Sequence, residues 1–219
     1  DEFLDARQVE INKEVDNKKQ ELDVLKTDAE KFKLQDLTKE ELDKKLDSLR
    51  LKLSIIRKQI PEDIVILEEN SEDSKITEAN IEKSILELEP EISEKEKESS
   101  MKESLKIIED SNLAVNSYYY IVEIIYLDGS KKGISFVKRN INAELEKGNG
   151  FFVEIIPKTV AESASELSVK NSIYEVVKED PVLSFGSDTK QIIYFFEKES
   201  EIDNLKDTEF TFVHVFKGE

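Results

Sequence analysis

The chain of 219 residues reads as an α+β protein, with coiled-coil helices at its amino end and a small sandwich domain after them. Three observations carry that reading. Apolar residues follow a heptad spacing through the first sixty positions, aromatic and β-branched runs set in from Tyr118, and glycine-bearing turn signals such as Asp128-Gly129-Ser130 separate those runs.

In the first helix Ile11, Val15, Leu22, Leu25, Ala29 and Phe32 keep a 4-3 spacing, with Leu4 leading and only Gln8 and Lys18 polar on the seam. Such a repeat holds one apolar stripe toward a partner helix, and a period of 3.5 implies a left-handed supercoil. Leu42, Leu46, Leu49, Leu53, Ile56 and Ile60 form a second stripe that is out of phase with the first, so the helix breaks near 33–38. Thr38 with Glu41 is a capping box, Leu37 and Leu42 supply its hydrophobic staple, and Pro61 stops the second helix. The residues expected to meet a partner are Ile11, Val15, Leu22, Leu25 and Phe32 on the first helix. On the second they are Leu42, Leu46, Leu49, Leu53 and Ile56. The stripes are narrow, which suits a coiled-coil seam, and Lys18 on the seam would help to fix register. An antiparallel hairpin within the chain and a seam with another chain both satisfy this pattern.

Charge is high and uneven. Of a net −18, residues 1–60 carry 15 acids and 14 bases, residues 61–111 carry 17 and 6, and residues 112–219 carry 18 and 12. A chain so acidic and without a basic stripe is repelled by phosphate, which argues against nucleic acid and against an electrostatic grip on anionic lipid. There is no cysteine, hence no disulfide framework and no thiolate zinc site. No run of eighteen apolar residues is present. The opening on Asp1 rather than Met suggests an extracytoplasmic fragment whose membrane anchor or signal was removed.

Residues 61–99 read as an acidic linker with a short helix. Ile64 to Leu67 suits an edge strand or a docking segment, Glu68 to Ser74 reads as a loop, and Thr77 caps a helix with Ile81, Ile85 and Leu88 on one face before Pro90. Ile92 to Ser100 is a solvated helix or linker, and Met101, Leu105 and Ile108 resume a helical face. Residues 100–219 form the α+β domain. Tyr118 to Leu127 is a central strand. After the Asp128-Gly129 turn, Ile134, Val137, Ile141 and Leu145 predict a helix closed by Gly148; a hairpin with Ile134 to Val137 as return strand is the alternative. Further strands are expected at Phe151 to Ile156, Ile173 to Val177, Ile192 to Phe196 and Glu209 to Phe216, with a short helix or polar loop at Val160 to Val169. The helices would lie on one face of a mostly antiparallel sheet.

Nothing in the sequence points to a reaction, and no catalytic residue, metal ligand or cofactor is expected. The one histidine, His214, sits between Phe212 and Phe216 in an alternating strand, where packing or a surface role is favoured. Gly148-Asn149-Gly150 follows an expected helix, whereas a phosphate cradle needs glycines before one. No serine stands in a Gly-x-Ser-x-Gly turn. Tyr118, Tyr119 and Tyr120 alternate faces in a strand, so they form no stacking platform.

Heptads that end in Leu53-Ser-Ile-Ile-Arg-Lys-Gln-Ile-Pro61 and lead into a small α+β domain resemble PilO, the inner-membrane alignment proteins of type IV pili, whose relatives include PilN and type II secretion components. The strand, glycine, helix, strand order expected from Tyr120 to Ile156 is similar to their ferredoxin-like domain. The resemblance implies a non-catalytic envelope scaffold, dimeric with itself or with a PilN-like homologue. A surface lipoprotein that binds a host or envelope protein is the other expectation.

Overall fold

The computed structural model describes residues 2–145, 148, 150–170 and 172–215, with side chains from Lys13 onward except Glu14. The chain is α+β and divides into two compact units, one of residues 1–65 with 123–132 and the other of residues 66–122 with 133–219.

The first unit holds helices α1 (Glu2–Phe32) and α2 (Lys39–Arg57), with the break falling where the two stripes lose phase. The Thr38 side chain accepts from the Glu41 backbone N–H and Glu41 Oε2 accepts from the Thr38 N–H at 2.9 Å, so the expected capping box is formed. Past α2 the chain enters strand β1 (Pro61–Asp73). The end of α2 is held to the turn between β2 (Ala114–Tyr126) and β3 (Lys131–Asn142) by Arg57 Nη2, which donates to the Leu127 carbonyl at 2.8 Å. Leu127 in turn donates its N–H to Ile60 O at 3.0 Å.

The second unit is layered. After β1 come α3 (Glu78–Leu88) and α4 (Glu94–Asp110), capped by Thr77 and by a Ser93–Glu96 capping box. After β3 come β4 (Phe151–Ile155), a 3₁₀ turn at Ala164–Glu166, β5 (Ser168–Lys170), β6 (Tyr174–Lys178), β7 (Val182–Gly186), β8 (Gln191–Phe196), α5 (Ile202–Lys206) and β9 (Glu209–Val213). They form two antiparallel sheets, ordered β1-β2-β3-β8-β5 and β6-β7-β4-β9. Tyr119, Val137, Ile192 and Tyr194 of the first sheet share one core with Phe152, Leu183, Phe185, Phe210 and Phe212 of the second. The other face of the second sheet, through Val153, Val182 and Val213, packs on Ile81 and Ile85 of α3 and on Met101 and Ile108 of α4. The helices thus cover one sheet face, as expected, but the strands make two sheets rather than one.

Four further sequence expectations need correction. The helix from Ile134 to Leu145 is strand β3, so the hairpin through Asp128-Gly129 is the one formed. Gly129 takes φ 83°, Tyr126 donates to Ser130 O, and Ser130 N–H donates to Asp128 Oδ1 at 3.0 Å. The helical spacing was a mixture of two strand faces: Val137 and Ile141 point into the shared core, while Phe136 stacks on Tyr120 at 4.4 Å on the other side. A central strand covered on both faces shows no alternation to read. Glu68 to Asp73 is not a loop but the continuation of β1, an edge strand whose exposed acids are what an edge in water requires. The final strand ends at Val213, so His214 follows it; the expected partner Phe216 lies outside the described residues. The ferredoxin-like order β-α-β-β-α-β also differs from the order here, where two helices follow β1 directly and eight strands come after them.

Candidate protein-interaction site

The residues singled out in the sequence lie on α1 and α2, which pack on each other. Near the break, Lys45 Nζ donates to Gln35 Oε1 at 2.6 Å and sits 4.8 Å above the Phe32 ring. Further along, Glu21, Val24 and Leu25 face Lys52, Ile55 and Ile56 across an open groove of about 320 Å³. Ascending positions on one helix meet descending positions on the other, so the pair is an antiparallel hairpin. With 31 residues against 19, α1 runs on past the end of α2.

On α1 the heptad seam is the covered face. Val15, Lys18, Leu22, Leu25, Ala29 and Phe32 are all half-buried, whereas Val24, off the seam, is exposed. Lys18 keeps its place on the seam by pairing with Glu21 one turn on, at 2.6 Å. Ile11 lies outside the residues whose side chains are described.

The seam of α2 divides. Ile56 is buried at the groove that faces α1, and Leu49 is half-buried. Leu42, Leu46 and Leu53, which share a stripe with them, remain 37, 36 and 43 % exposed. Geometry explains the split. Two helices touch along one line, and side chains more than about 50° around from it are left at the edge of the contact. The hairpin brings Phe32 to Lys45 and Leu25 to Ile56, with Val15, Leu22 and Leu49 half-buried, and leaves Leu42, Leu46 and Leu53 as an exposed apolar edge.

The second unit holds a group of residues that the sequence reading passed over. Arg139 on β3 and Glu154 on β4 are 1 and 0 % exposed and join the two sheets through the core. Arg139 Nη2 donates to Glu154 Oε1 at 2.7 Å and to Thr208 Oγ1 at 2.6 Å, and Nε donates to Glu154 Oε2 at 3.3 Å. Its Nη1 donates to the Tyr119 hydroxyl at 2.8 Å and to Ser117 Oγ, while Tyr194 donates to Glu154 Oε1 at 2.8 Å. Burial alone would weaken the hold of the guanidinium on its proton. The Glu154 carboxylate and then Tyr194 outweigh that, and the pKa of Arg139 is raised. Burial, reinforced by the Glu154 charge, also raises the Tyr194 phenol well above its ordinary value. Glu154 stood in the sequence as a lone charge within the apolar run Phe151 to Ile156, whereas Arg139, beside Lys138 and Asn140, did not stand out. The lone glutamate was the available signal. With every strong donor and acceptor matched and no opening to solvent, the pair cross-links the sheets and offers no surface to a ligand.

Among the described residues, no group of three or more His, Asp or Glu side chains is placed to hold a metal ion, and no helix is long and apolar enough to cross a membrane. Comparison of the chain with protein-family models, with curated proteins and with solved structures finds no match in any of the three.

Proposed function

We propose that the protein is a non-catalytic scaffold that acts by helix pairing, with the α1–α2 hairpin as its docking element. The observation that carries this is the uncovered edge of α2. Leu42, Leu46 and Leu53 recur at heptad spacing and stay more than a third exposed although the hairpin is formed. Burying a leucine side chain contributes about 1.5–3 kcal/mol, so three in a row favour a further helix at that edge. A second copy is the occupant the charges favour. Residues 1–60 carry 15 acids and 14 bases, so two hairpins meet almost without net repulsion while the rest of each chain is strongly negative. Two hairpins joined in this way make a four-helix bundle, the usual solution for helices with one narrow apolar stripe each.

The narrower form of the proposal is a coiled-coil alignment protein of the bacterial envelope, PilO-like, in a type IV pilus or related secretion assembly. Its support is the pair of heptad stripes and the Ile60-Pro61 step that closes the second of them. That form is checked by fractionation of the full-length protein with the cell membrane and by its cross-linking to a PilN-like homologue.

The test of pairing itself is sedimentation equilibrium over a concentration series. The wild type is expected to be dimeric, Leu46→Lys with Leu53→Lys monomeric, and Leu51→Lys, at an exposed position on the opposite side of α2, unchanged. A wild type that stays monomeric at every concentration removes the proposal.

A further inference from the structure

The second unit has a sheet edge that is finished differently from the rest. The first sheet ends on one side in β1, thirteen residues bearing six acids, and on the other in β5, three residues long. Charge and brevity are the usual protections of an edge. At one end of the second sheet, β9 is packed by α3 and α4, and His214 just beyond it donates its N–H to Ser104 Oγ of α4 at 2.8 Å. At the other end stands β6, with no strand outside it among the described residues.

The side chains of β6 belong to a core that stops short. Tyr174 is in register with Phe185 and Val176 with Leu183, both fully buried on the core side of the sheet, and the Tyr174 ring lies 6.2 Å from that of Phe185. Yet Tyr174 and Val176 are 39 and 47 % exposed. Beside them lies a cleft of about 570 Å³ between the β6–β7 edge and residues 188–191, lined also by Phe151, Phe185 and Glu175. The charge around the cleft is negative. Glu175 and Asp188 line it with one lysine, Lys190, whose ammonium already donates to the Ala143 carbonyl. The unit as a whole carries 31 acids against 16 bases.

We propose that β6 and this cleft bind an extended peptide of alternating apolar and basic residues, added to the second sheet as a fifth strand. Backbone hydrogen bonds to β6 hold the segment. Its apolar side chains continue the core face beyond Tyr174 and Val176, and its basic side chains fall on the opposite face beside Glu175. β6 is five residues long and bulged between Val176 and Lys178, so the recognised segment is short, about four to six residues.

The probe is a capped peptide of about seven residues alternating lysine and valine, with a glutamate–valine counterpart, followed by calorimetry and by amide hydrogen exchange on the full chain. Binding of the lysine peptide alone is expected, with new protection confined to residues 174–178 and with affinity that falls as salt is raised. Val176→Lys is expected to weaken binding by about tenfold or more, and Glu175→Lys to weaken it and flatten the salt dependence. Both positions are exposed, and circular dichroism checks that each variant keeps its fold. The exchange map of the wild type stands whatever the variants do. Absence of binding, equal binding of the glutamate peptide, or protection elsewhere overturns the proposal. So does protection of 174–178 by protein concentration alone, since the edge is then taken by a second copy.

Discussion

The helical unit and the sandwich unit face the same problem, apolar side chains that must leave water, and they solve it to different depths. In the hairpin the seam of α1 is half-buried and part of the α2 stripe stays at an open edge. In the sandwich Phe152, Leu183, Tyr194 and Phe212 are fully enclosed, and even an arginine and a glutamate are held without solvent. Layers of sheet and helix cover one another over an area, whereas two cylinders meet along a line. Charge divides the same way: the first unit carries 19 acids and 16 bases, the second 31 and 16. The unit with unfinished burial is also the one that repels its copies least, which is the combination association requires.

The largest expected effect tests the finished core. Arg139→Met leaves the Glu154 carboxylate buried beside the Tyr194 phenol with no cation, at a cost of about 3–5 kcal/mol in chemical denaturation. Replacing Glu154 by leucine as well is expected to recover much of that loss. The near-ultraviolet signal of the sandwich should be lost at lower denaturant than the helical signal of α1 and α2. Loss of both together would break the comparison between independent units.

A smaller effect sharpens it, because each unit carries the same capping box in a different setting. Thr38→Ala on α2 and Ser93→Ala on α4 each remove a cap worth about 1 kcal/mol. Fraying is expected at residues 38–42, where little else holds the helix, and not at residues 93–97, where Lys97 pairs with Glu82 of α3 at 2.8 Å. Acid is the gentlest probe. The hydrogen bonds from Thr38 hold the Glu41 carboxyl below its ordinary range, and those from Ser93 do the same for Glu96. Each lowered pKa contributes stability that is present above the ordinary carboxylate value of 4.5 and is lost as pH falls through the folded one. Carbon secondary shifts recorded from pH 6 down to about pH 3 should show α2 fraying first.

What could be read in advance follows from how each element is covered. The two amino-terminal helices were legible because the break, the Thr38 cap and the stop at Pro61 are local patterns. That the helices pair with each other within the chain was not, because the same stripes also suit a seam with another chain. The return strand β3 was not, since Ile134, Phe136, Val137 and Ile141 are buried on both faces and imitate a helical spacing. Strand β7, Val182–Gly186, left no signal of its own, for the same reason: it is covered by the shared core on one side and by α3 and α4 on the other. Of the candidate interface, position along the helix was readable. Which of the leucines stay open was not, because that depends on the direction from which α1 approaches α2. The Arg139–Glu154 pair needed two distant strands brought face to face.

The chain has six tyrosines and no tryptophan, and Tyr119 and Tyr194 both stand at the buried pair. The interior therefore contains its own chromophores. Burial raises the pKa of both phenols, for Tyr119 against the opposing pull of Arg139, so in alkali they resist deprotonation while the chain is folded and give way when the sheets part. That contribution is whole below the ordinary phenol value of 10 and is lost as pH climbs through the folded values, so ultraviolet absorbance in base reports the integrity of the sandwich without any label.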